Sequence, residues 1–182
     1  MTTDTHSPHS VSSHELARLA VRVGERLRAR GWRLATAESC TGGWVAKTIT
    51  DIAGSSDWFD RGFVTYSNAA KQEMLGVGAG LIERHGAVSA PVVQAMVAGA
   101  LDYSQAEVAL AVSGIAGPSG GSPKKPVGTV WFAWGRTGSE AVTRCECFAG
   151  DREAVRAQAV RTALFGLLEL SWLAEAARAA MR

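Results

Sequence analysis

Three side chains that can act as nucleophiles stand side by side in the segment ATAESCTGG, residues 35–43. They are Ser39, Cys40 and Thr41, and they are followed directly by Gly42 and Gly43. A hydroxyl or thiol between a strand and a helix can attack a carbonyl carbon, while nearby N–H groups hold the oxyanion that forms. The two glycines would let a substrate approach the backbone closely. The structural alternative is that Ser39 or Thr41 only caps a helix.

A serine nucleophile needs a base, and lysine is the best-supported candidate in this sequence. Lysine acts as a base when burial or a neighbouring cation leaves its amine neutral near pH 7. Lys71 lies about one helical turn past the segment Tyr66-Ser67-Asn68. Lys47 competes with it, but lies about two turns beyond Ser39 and is expected to point elsewhere. Either lysine can instead be a solvated surface charge. Only one histidine, His85, lies near these loops, so a Ser-His-Asp triad is poorly supported.

The cysteines predict neither a disulfide framework nor a metal site. Cys40 is a rival nucleophile if a base or a helix N-terminus ionises it, and otherwise a small buried packing residue. Cys145 and Cys147 are two positions apart, so on a strand they share one face. Because no second pair of cysteines or histidines accompanies them, we expect ordinary strand packing and no bound metal.

A glycine-rich loop at residues 113–121 is the third candidate for chemistry. Its candidate binding residues are Ser113, Gly114, Gly117, Gly120 and Gly121. The spacing matches neither the dinucleotide fingerprint nor the P-loop. A loop with this many glycines can still present several N–H groups to a phosphate, and Lys124 and Lys125 add positive charge. The alternative interpretation is a flexible turn.

The hydrophobic pattern predicts alternating helices and strands. Predicted strands cover residues 32–37, 63–66, 108–112, 127–134 and 142–148, the last two as a hairpin. Predicted helices begin at Ser13, Thr41, Ser67, Ser89 and near Asp151. The apolar run at 108–112 is typical of a strand covered on both faces. We therefore predict a three-layer α/β/α domain with a mixed sheet. Since ligands bind beyond the carboxyl ends of parallel strands, the three polar loops are expected to meet there.

Composition restricts the class of protein. A chain of 182 residues suits one domain, which we expect to cover residues 13–182 after a disordered polar tail at 1–12. The formal net charge of +2 provides no field for nucleic acid or membrane binding. The tryptophans are not interleaved with basic residues, so they do not predict base stacking. No signal peptide or membrane-length apolar run is visible, so we expect a soluble, cytoplasmic protein.

Five motifs resemble one known family. ESCTGG, GSSDWFDRGFVTYSNAAK, GAVS, SGIAGPSGG and KPVGTVWFA occur here in the order and spacing of the CinA C-terminal-domain family. The resemblance covers roughly residues 13–170, and its motifs are long and specific. Standalone members of that family include nicotinamide-nucleotide amidases.

The resemblance implies a three-layer α/β fold and a carboxamide hydrolase. The family reaction converts nicotinamide mononucleotide to nicotinate mononucleotide and ammonia in pyridine-nucleotide salvage, and requires neither metal nor cofactor. The nucleophile implied by ESCTGG is Ser39, and the lysine partner implied by YSNxxK is Lys71, assisted by Tyr66. The implied partner is a small nucleotide substrate, and the resemblance allows a homodimer. Ser119 and Ala69 stand where the family commonly has an acidic residue, and neither is a proposed catalytic group.

The residues leave a second function open, from a different class. A non-catalytic nucleotide-binding module that acts through a partner protein would use the same loops without hydrolysis. A third interpretation is a related amidase that acts on a different pyridine or amide.

Overall fold

The computed structural model describes residues 11–170, and within them five strands form one sheet in the order β2-β1-β3-β4-β5. The strands are β1 (Leu34–Glu38), β2 (Phe59–Val64), β3 (Val108–Gly114), β4 (Thr129–Arg136) and β5 (Val142–Cys147). β1 pairs in parallel with β2 and β3. β3 with β4, and β4 with β5, pair in antiparallel fashion, the latter as the predicted hairpin. The sheet is therefore mixed.

Helices cover both faces of this sheet. They are α1 (Ser13–Arg28), α2 (Trp44–Thr50), α3 (Asn68–Leu75), α4 (Ala79–His85), α5 (Ala90–Asp102) and α6 (Arg152–Glu169), with a short 3-10 turn at Ser55–Asp57. One core lies between the sheet and helices α1, α2 and α6, and a second between the sheet and helices α3, α4 and α5. Successive residues of β1 point alternately into these cores: Leu34 into the first and Ala35 into the second. The predicted three-layer α/β/α fold is confirmed.

The central strand shows why the hydrophobic pattern identified it. Residues 108–113 of β3 are all buried, because helices pack on both faces and strands flank both edges. A strand in this position carries apolar side chains on both of its faces rather than alternating ones. The strand predicted from the continuous apolar run at 108–112 is therefore confirmed.

Several boundaries differ from the sequence-based prediction. β2 begins at Phe59 rather than at residue 63, and its first half includes the charged pair Asp60 and Arg61 at the edge of the sheet. α4 was not predicted, because its N-cap residue, Gly78, has no side chain that could cap the helix and so mark its start in the sequence. α1 is capped by Ser12, whose hydroxyl accepts a hydrogen bond from the N–H of Glu15.

The chain ends lie outside the described residues. These include residues 1–10 of the predicted tail and residues 171–182 of the predicted domain. Between residues 11 and 170, no helix is both long enough and apolar enough to cross a lipid bilayer.

The parallel strands bring the polar loops together. β1, β2 and β3 run in one direction, so their carboxyl ends lie along the same edge of the sheet. Backbone bonds continue past the strands there, since the N–H of Ser39 donates to Val112 O at 2.9 Å and that of Thr65 donates to Glu38 O at 2.8 Å. The loops after these strands therefore form one site.

Candidate active site

The side chains of Ser39 and Lys71 meet at this edge of the sheet. The Nζ atom of Lys71 lies 3.0 Å from the Oγ atom of Ser39. Ser39 follows β1, whereas Lys71 is on α3, one layer away. Both are buried, with 8% of Ser39 and 1% of Lys71 exposed. A hydroxyl and an amine thus share a space from which bulk water is largely excluded.

Local structure at the start of α3 aims the lysine inward. Ser67 caps α3 by accepting a hydrogen bond from the N–H of Ala70 at 3.0 Å, as its sequence position indicated. The lysine Nζ donates to the carbonyl oxygens of Thr65, at 2.8 Å, and Tyr66, at 3.4 Å. A neutral amine has two N–H bonds and one lone pair, so two carbonyls and one hydroxyl match its capacity.

The surroundings of Lys71 favour its neutral form. Burial lowers the pKa of Lys71 below its ordinary value, and only a weaker interaction with Cys40 acts in the opposite direction. No carboxylate within residues 11–170 forms an ion pair with this amine. Desolvation of a cation without a compensating anion is the usual way in which a protein prepares a lysine to accept a proton.

The other two candidate nucleophiles lie in less favourable settings. Burial raises the pKa of the Cys40 thiol from 9.0 to about 12, so this sulphur stays protonated at neutral pH. The Thr41 hydroxyl is fully buried and donates to the Glu38 carboxylate at 2.7 Å. Of the three adjacent side chains, Ser39 is the one whose oxygen contacts a potential base.

A buried carboxylate organises the turn that carries Ser39. Glu38 is 0% exposed, and besides the Thr41 hydroxyl it accepts hydrogen bonds from three backbone N–H groups. Those donors belong to Gly43 (3.0 Å), Val45 (3.0 Å) and Ala46 (2.8 Å), which form the N-terminal turn of α2. The negative charge is stabilised by these hydrogen bonds and by the positive end of the helix dipole. The sequence pattern alone did not indicate this role of Glu38.

These hydrogen bonds determine which N–H groups of the turn remain available to a substrate. The N–H of Gly43 is occupied by Glu38, and the N–H of Gly42 donates to Ser39 O at 3.1 Å. Both glycines adopt positive φ angles, +62° for Gly42 and +92° for Gly43, which is the conformation that requires glycine here. Because the N–H groups of Gly42 and Gly43 already donate within the protein, they are not available to stabilise an oxyanion.

A cavity of about 230 Å³ opens beside the Ser39–Lys71 pair. Its lining comes from the three predicted loops, the start of α6 and the segment before α5. The lining residues are Ser39, Cys40, Tyr66, Asn68, Lys71, Ala87, Val88, Ser113, Gly114, Ala116 and Arg152. The hydroxyl of Ser113 donates to Ala87 O at 2.8 Å and so joins two walls of the cavity.

Only the first part of the glycine-rich loop reaches this cavity. Ser113 and Gly114 line it, whereas Gly117, Gly120 and Gly121 do not. Gly117 is buried behind the lining, and its carbonyl accepts a hydrogen bond from Arg152; Gly120 and Gly121 are exposed. The nearby Lys125 donates to the carbonyls of His85 (2.9 Å) and Val88 (2.7 Å), so it braces a cavity wall.

Arg152 is a site residue that sequence analysis did not identify. Its guanidinium lines the cavity and donates to Gly117 O and to the Tyr66 hydroxyl, both at 2.9 Å. Tyr66 is 61% exposed, and its carbonyl rather than its hydroxyl contacts Lys71. The available sequence signal was Asp151, whose side chain caps α6 and so fixes where the following arginine begins the helix.

The remaining candidates lie away from the cavity. Lys47 is exposed and pairs with Asp51 at 2.5 Å, so it points away from Ser39 as expected. Cys145 and Cys147 are exposed free thiols on the edge strand β5. Within the described part of the chain, no group of three or more His, Cys, Asp or Glu side chains is arranged to hold a metal ion.

Proteins with this fold and sequence are known. A solved structure of the competence/damage inducible protein CihA from Agrobacterium tumefaciens superposes with a TM-score of 0.84 at 44% identity, covering 87% of this chain and 97% of that one. The protein named nicotinamide-nucleotide amidohydrolase PncC from Escherichia coli K12 is 60% identical over 154 residues, which is 85% of this chain and 93% of the relative. The protein of the same name from Pseudomonas putida is 58% identical over 152 residues, 84% and 94% of the respective chains.

The profile of one family spans nearly all of the residues that the structure describes. The CinA C-terminal domain matches residues 16–171, from the first turn of α1 to just beyond α6, and includes every residue of the cavity. With this match and relatives of 58% and 60% identity, the chain belongs to the CinA C-terminal domain family.

Proposed function

We propose that this protein is a nicotinamide-nucleotide amidase. It hydrolyses the carboxamide of nicotinamide mononucleotide to nicotinate mononucleotide and ammonia, as a step of pyridine-nucleotide salvage. The observation that carries this proposal is the 3.0 Å contact between the Ser39 hydroxyl and the buried Lys71 amine at the wall of a cavity. The names of the relatives from Escherichia coli and Pseudomonas putida support the choice of substrate.

In the first half of the reaction, Ser39 is the nucleophile. The neutral Lys71 amine takes the hydroxyl proton of Ser39 as the serine oxygen bonds to the carboxamide carbon. The carbonyl oxygen becomes an oxyanion, which the backbone N–H groups at the start of the 40–43 turn, those of Cys40 and Thr41, stabilise; losing one such donor typically costs about 2.7–4 kcal/mol. The protonated Lys71 then gives its proton to the amide nitrogen, and the C–N bond breaks. Ammonia departs, and the acyl group remains bound to Ser39 as an ester.

In the second half, water takes the place of ammonia. Lys71, neutral again, accepts a proton from the water as its oxygen attacks the ester carbon. Collapse of the second tetrahedral intermediate breaks the bond to Ser39, and Lys71 returns the proton to the serine oxygen. Tyr66 assists by holding the amine through its carbonyl, at 3.4 Å. The product acid ionises in solution to nicotinate mononucleotide.

The phosphate of the substrate is held by Arg152 together with the beginning of the glycine-rich loop. Arg152 contributes the guanidinium that lines the cavity, and guanidinium groups bind phosphate through paired hydrogen bonds. Arg152→Gln is therefore expected to raise the KM for nicotinamide mononucleotide about tenfold or more, at a cost of roughly 1.4 kcal/mol per factor of ten. The same change should leave the KM for nicotinamide riboside, which lacks the phosphate, nearly unchanged.

Ammonia release tests the function directly. Wild-type protein is expected to release one ammonia per nicotinamide mononucleotide, Ser39→Ala to release almost none while still binding the nucleotide, and Cys40→Ala to keep most of the turnover. Retained turnover in Ser39→Ala with loss in Cys40→Ala would reverse the assignment of the nucleophile.

The ammonia test also separates the other functions. Nucleotide binding by the wild type without ammonia would favour the non-catalytic module that acts through a partner protein. Ammonia from other pyridine carboxamides alone, in a panel of amides, would indicate a related amidase with a different substrate.

The proposal includes two expectations about the protein in the cell. These are a cytoplasmic location and assembly as a homodimer, which family members often form. Light scattering of the purified protein measures the mass in solution and so tests the assembly.

A further inference from the structure

Arg156 forms two hydrogen bonds to the main chain of residues 40–43, the turn that follows Ser39 (the nucleophile turn). This half-buried residue lies on α6, one helical turn beyond Arg152. Its Nε donates to the carbonyl oxygen of Cys40 at 3.1 Å, and its Nη2 donates to that of Thr41 at 2.8 Å. Its guanidinium also stacks over the ring of Trp44, with 5.3 Å between Cζ and the ring centroid. Two successive peptide groups beside Ser39 are thereby held from the α6 side.

The hydrogen bond from Arg156 to the Cys40 carbonyl determines where the N–H of Thr41 points. In a planar trans peptide, the C=O and the N–H point in opposite directions. Since the Cys40 carbonyl points to Arg156 on α6, the N–H of Thr41, which belongs to the same peptide group, points away from α6. Helices α6 and α3 lie on opposite faces of the sheet, so this N–H points toward the face on which α3 carries Lys71.

Two other N–H groups of the turn are already engaged. The N–H groups of Gly42 and Gly43 donate to Ser39 O and to Glu38. The N–H groups of Cys40 and Thr41 have no hydrogen-bond acceptor among residues 11–170, and that of Thr41 is the one whose direction Arg156 fixes.

We propose that Arg156 is a positioning residue, which turns the Cys40–Thr41 peptide so that the Thr41 N–H becomes a backbone donor to the oxyanion formed on Ser39. This inference rests on the proposed function and adds to it a residue that touches neither substrate nor reacting atoms. Loss of these hydrogen bonds from Arg156 frees the peptide to rotate, and the donor is then missing when negative charge develops on the carbonyl oxygen. Ground-state binding of the nucleotide does not depend on this donor, so the loss falls on kcat.

Two substitutions at 156 and one matched control test the proposal. Arg156→Gln removes the charge and the fork, whereas Arg156→Lys keeps the charge and can reach only one of the two carbonyls. The control is Arg161→Gln, because Arg161 is also on α6 but pairs with the exposed Glu15, away from the cavity. We measure kcat and KM for ammonia release from nicotinamide mononucleotide, together with thermal unfolding of each variant.

The expected result is a split between the two kinetic constants. Arg156→Gln should lower kcat about 100-fold, the scale of a misplacement of roughly 1 Å, and Arg156→Lys should lower it less. KM should stay within about twofold of the wild type in both, and Arg161→Gln should match the wild type in both constants. If Arg156→Gln fails to fold, the lysine variant decides. A folded variant that keeps full kcat, or whose loss lies wholly in KM, overturns the proposal.

A second reaction separates this inference from the choice of substrate. Wild-type protein that releases no ammonia would refute the proposed function. Labelling of Ser39 by a small fluorophosphonate needs no nucleotide, and its intermediate also carries a negatively charged oxygen. Slower labelling in both Arg156 variants than in Arg161→Gln supports the positioning role. Equal labelling rates in all of them contradict it.

Discussion

The Nζ atom of Lys71 lies 3.0 Å from the Oγ atom of Ser39, although 32 positions separate the two residues in the chain. One residue ends a strand of the sheet, and the other is on a helix that packs on one face of it. Burial holds the pKa of Lys71 below its ordinary value of 10.5, which favours the neutral amine that our proposal requires as the base.

The pH dependence of turnover should follow this lysine. With the neutral amine as the proposed base, kcat/KM is expected to rise with pH through the lowered pKa of Lys71, so that the midpoint of the rise lies below pH 10.5. Lys71→Arg should lose about 100-fold or more at every pH and show no rising limb, since arginine stays protonated. A rising limb that persists in Lys71→Arg would mean that another group is the base.

Glu38 should contribute to the stability of the fold. Glu38→Gln replaces one acceptor oxygen by an NH2 group that faces backbone N–H donors. Hydrogen bonds to a buried charge are worth about 1.5–3 kcal/mol each, so we expect the free energy of unfolding to fall by about 2–3 kcal/mol. Urea unfolding measures the loss, and Glu73→Gln, at an exposed position on α3, is the control. Equal stability of the two variants would show that the carboxylate is not required.

A close contact between two helices supports the position of Lys71. A Cβ atom added at Gly99 of α5 would lie 1.9 Å from the carbonyl oxygen of Leu75, the last residue of α3. Since backbone must move to make room, Gly99→Ala is expected to cost about 1–3 kcal/mol and to reduce turnover as α3 shifts.

Gly80→Ala is the control for this contact. A Cβ at Gly80, inside α4, would meet nothing within 4 Å, so the change should stabilise the protein by up to about 1 kcal/mol through helix propensity. Thermal unfolding and ammonia release of both variants provide the comparison. A Gly99→Ala protein as stable and active as Gly80→Ala would contradict the contact.

The three thiols should differ in reactivity. Cys145 and Cys147 are exposed, whereas Cys40 is buried and its pKa is raised to about 12. Because the thiolate is the reactive form, a disulfide reagent such as DTNB should modify the two exposed thiols in the folded protein at pH 8, and Cys40 only after unfolding. Mass spectrometry of digested peptides identifies the modified positions. Rapid modification of Cys40 in the folded protein would reopen its candidacy as the nucleophile.

Part of the site could be predicted because its geometry is local or follows from strand direction. Ser67 caps α3 through a hydroxyl placed directly before the helix, and Lys71 follows on the first turn. The burial of β3 could be read from its apolar run. The meeting of the loops after β1, β2 and β3 follows from the rule for parallel strands. In each case the surroundings of a residue follow from its neighbours in the sequence or from the direction of a strand.

The rest depends on contacts that sequence spacing does not encode. Arg152 and Arg156 reach the site from α6, and nothing in the sequence near them indicates which face of that helix meets the nucleophile turn. Glu38 ends a strand, where a carboxylate usually faces water, yet its oxygens turn back to the first N–H groups of α2. β2 was predicted too short because Asp60 and Arg61, on an edge strand, resemble loop residues.

The carboxylate of Glu38 also has a consequence for how a nucleotide enters. The first N–H groups of α2 lie close to Ser39 and could otherwise bind an anion. The Glu38 carboxylate already accepts hydrogen bonds from them. For the proposed nucleotide substrate, we expect this charge to disfavour a phosphate beside Ser39 and to leave the Arg152 side of the cavity as its binding position. We therefore expect such a substrate to enter with its uncharged amide toward Ser39.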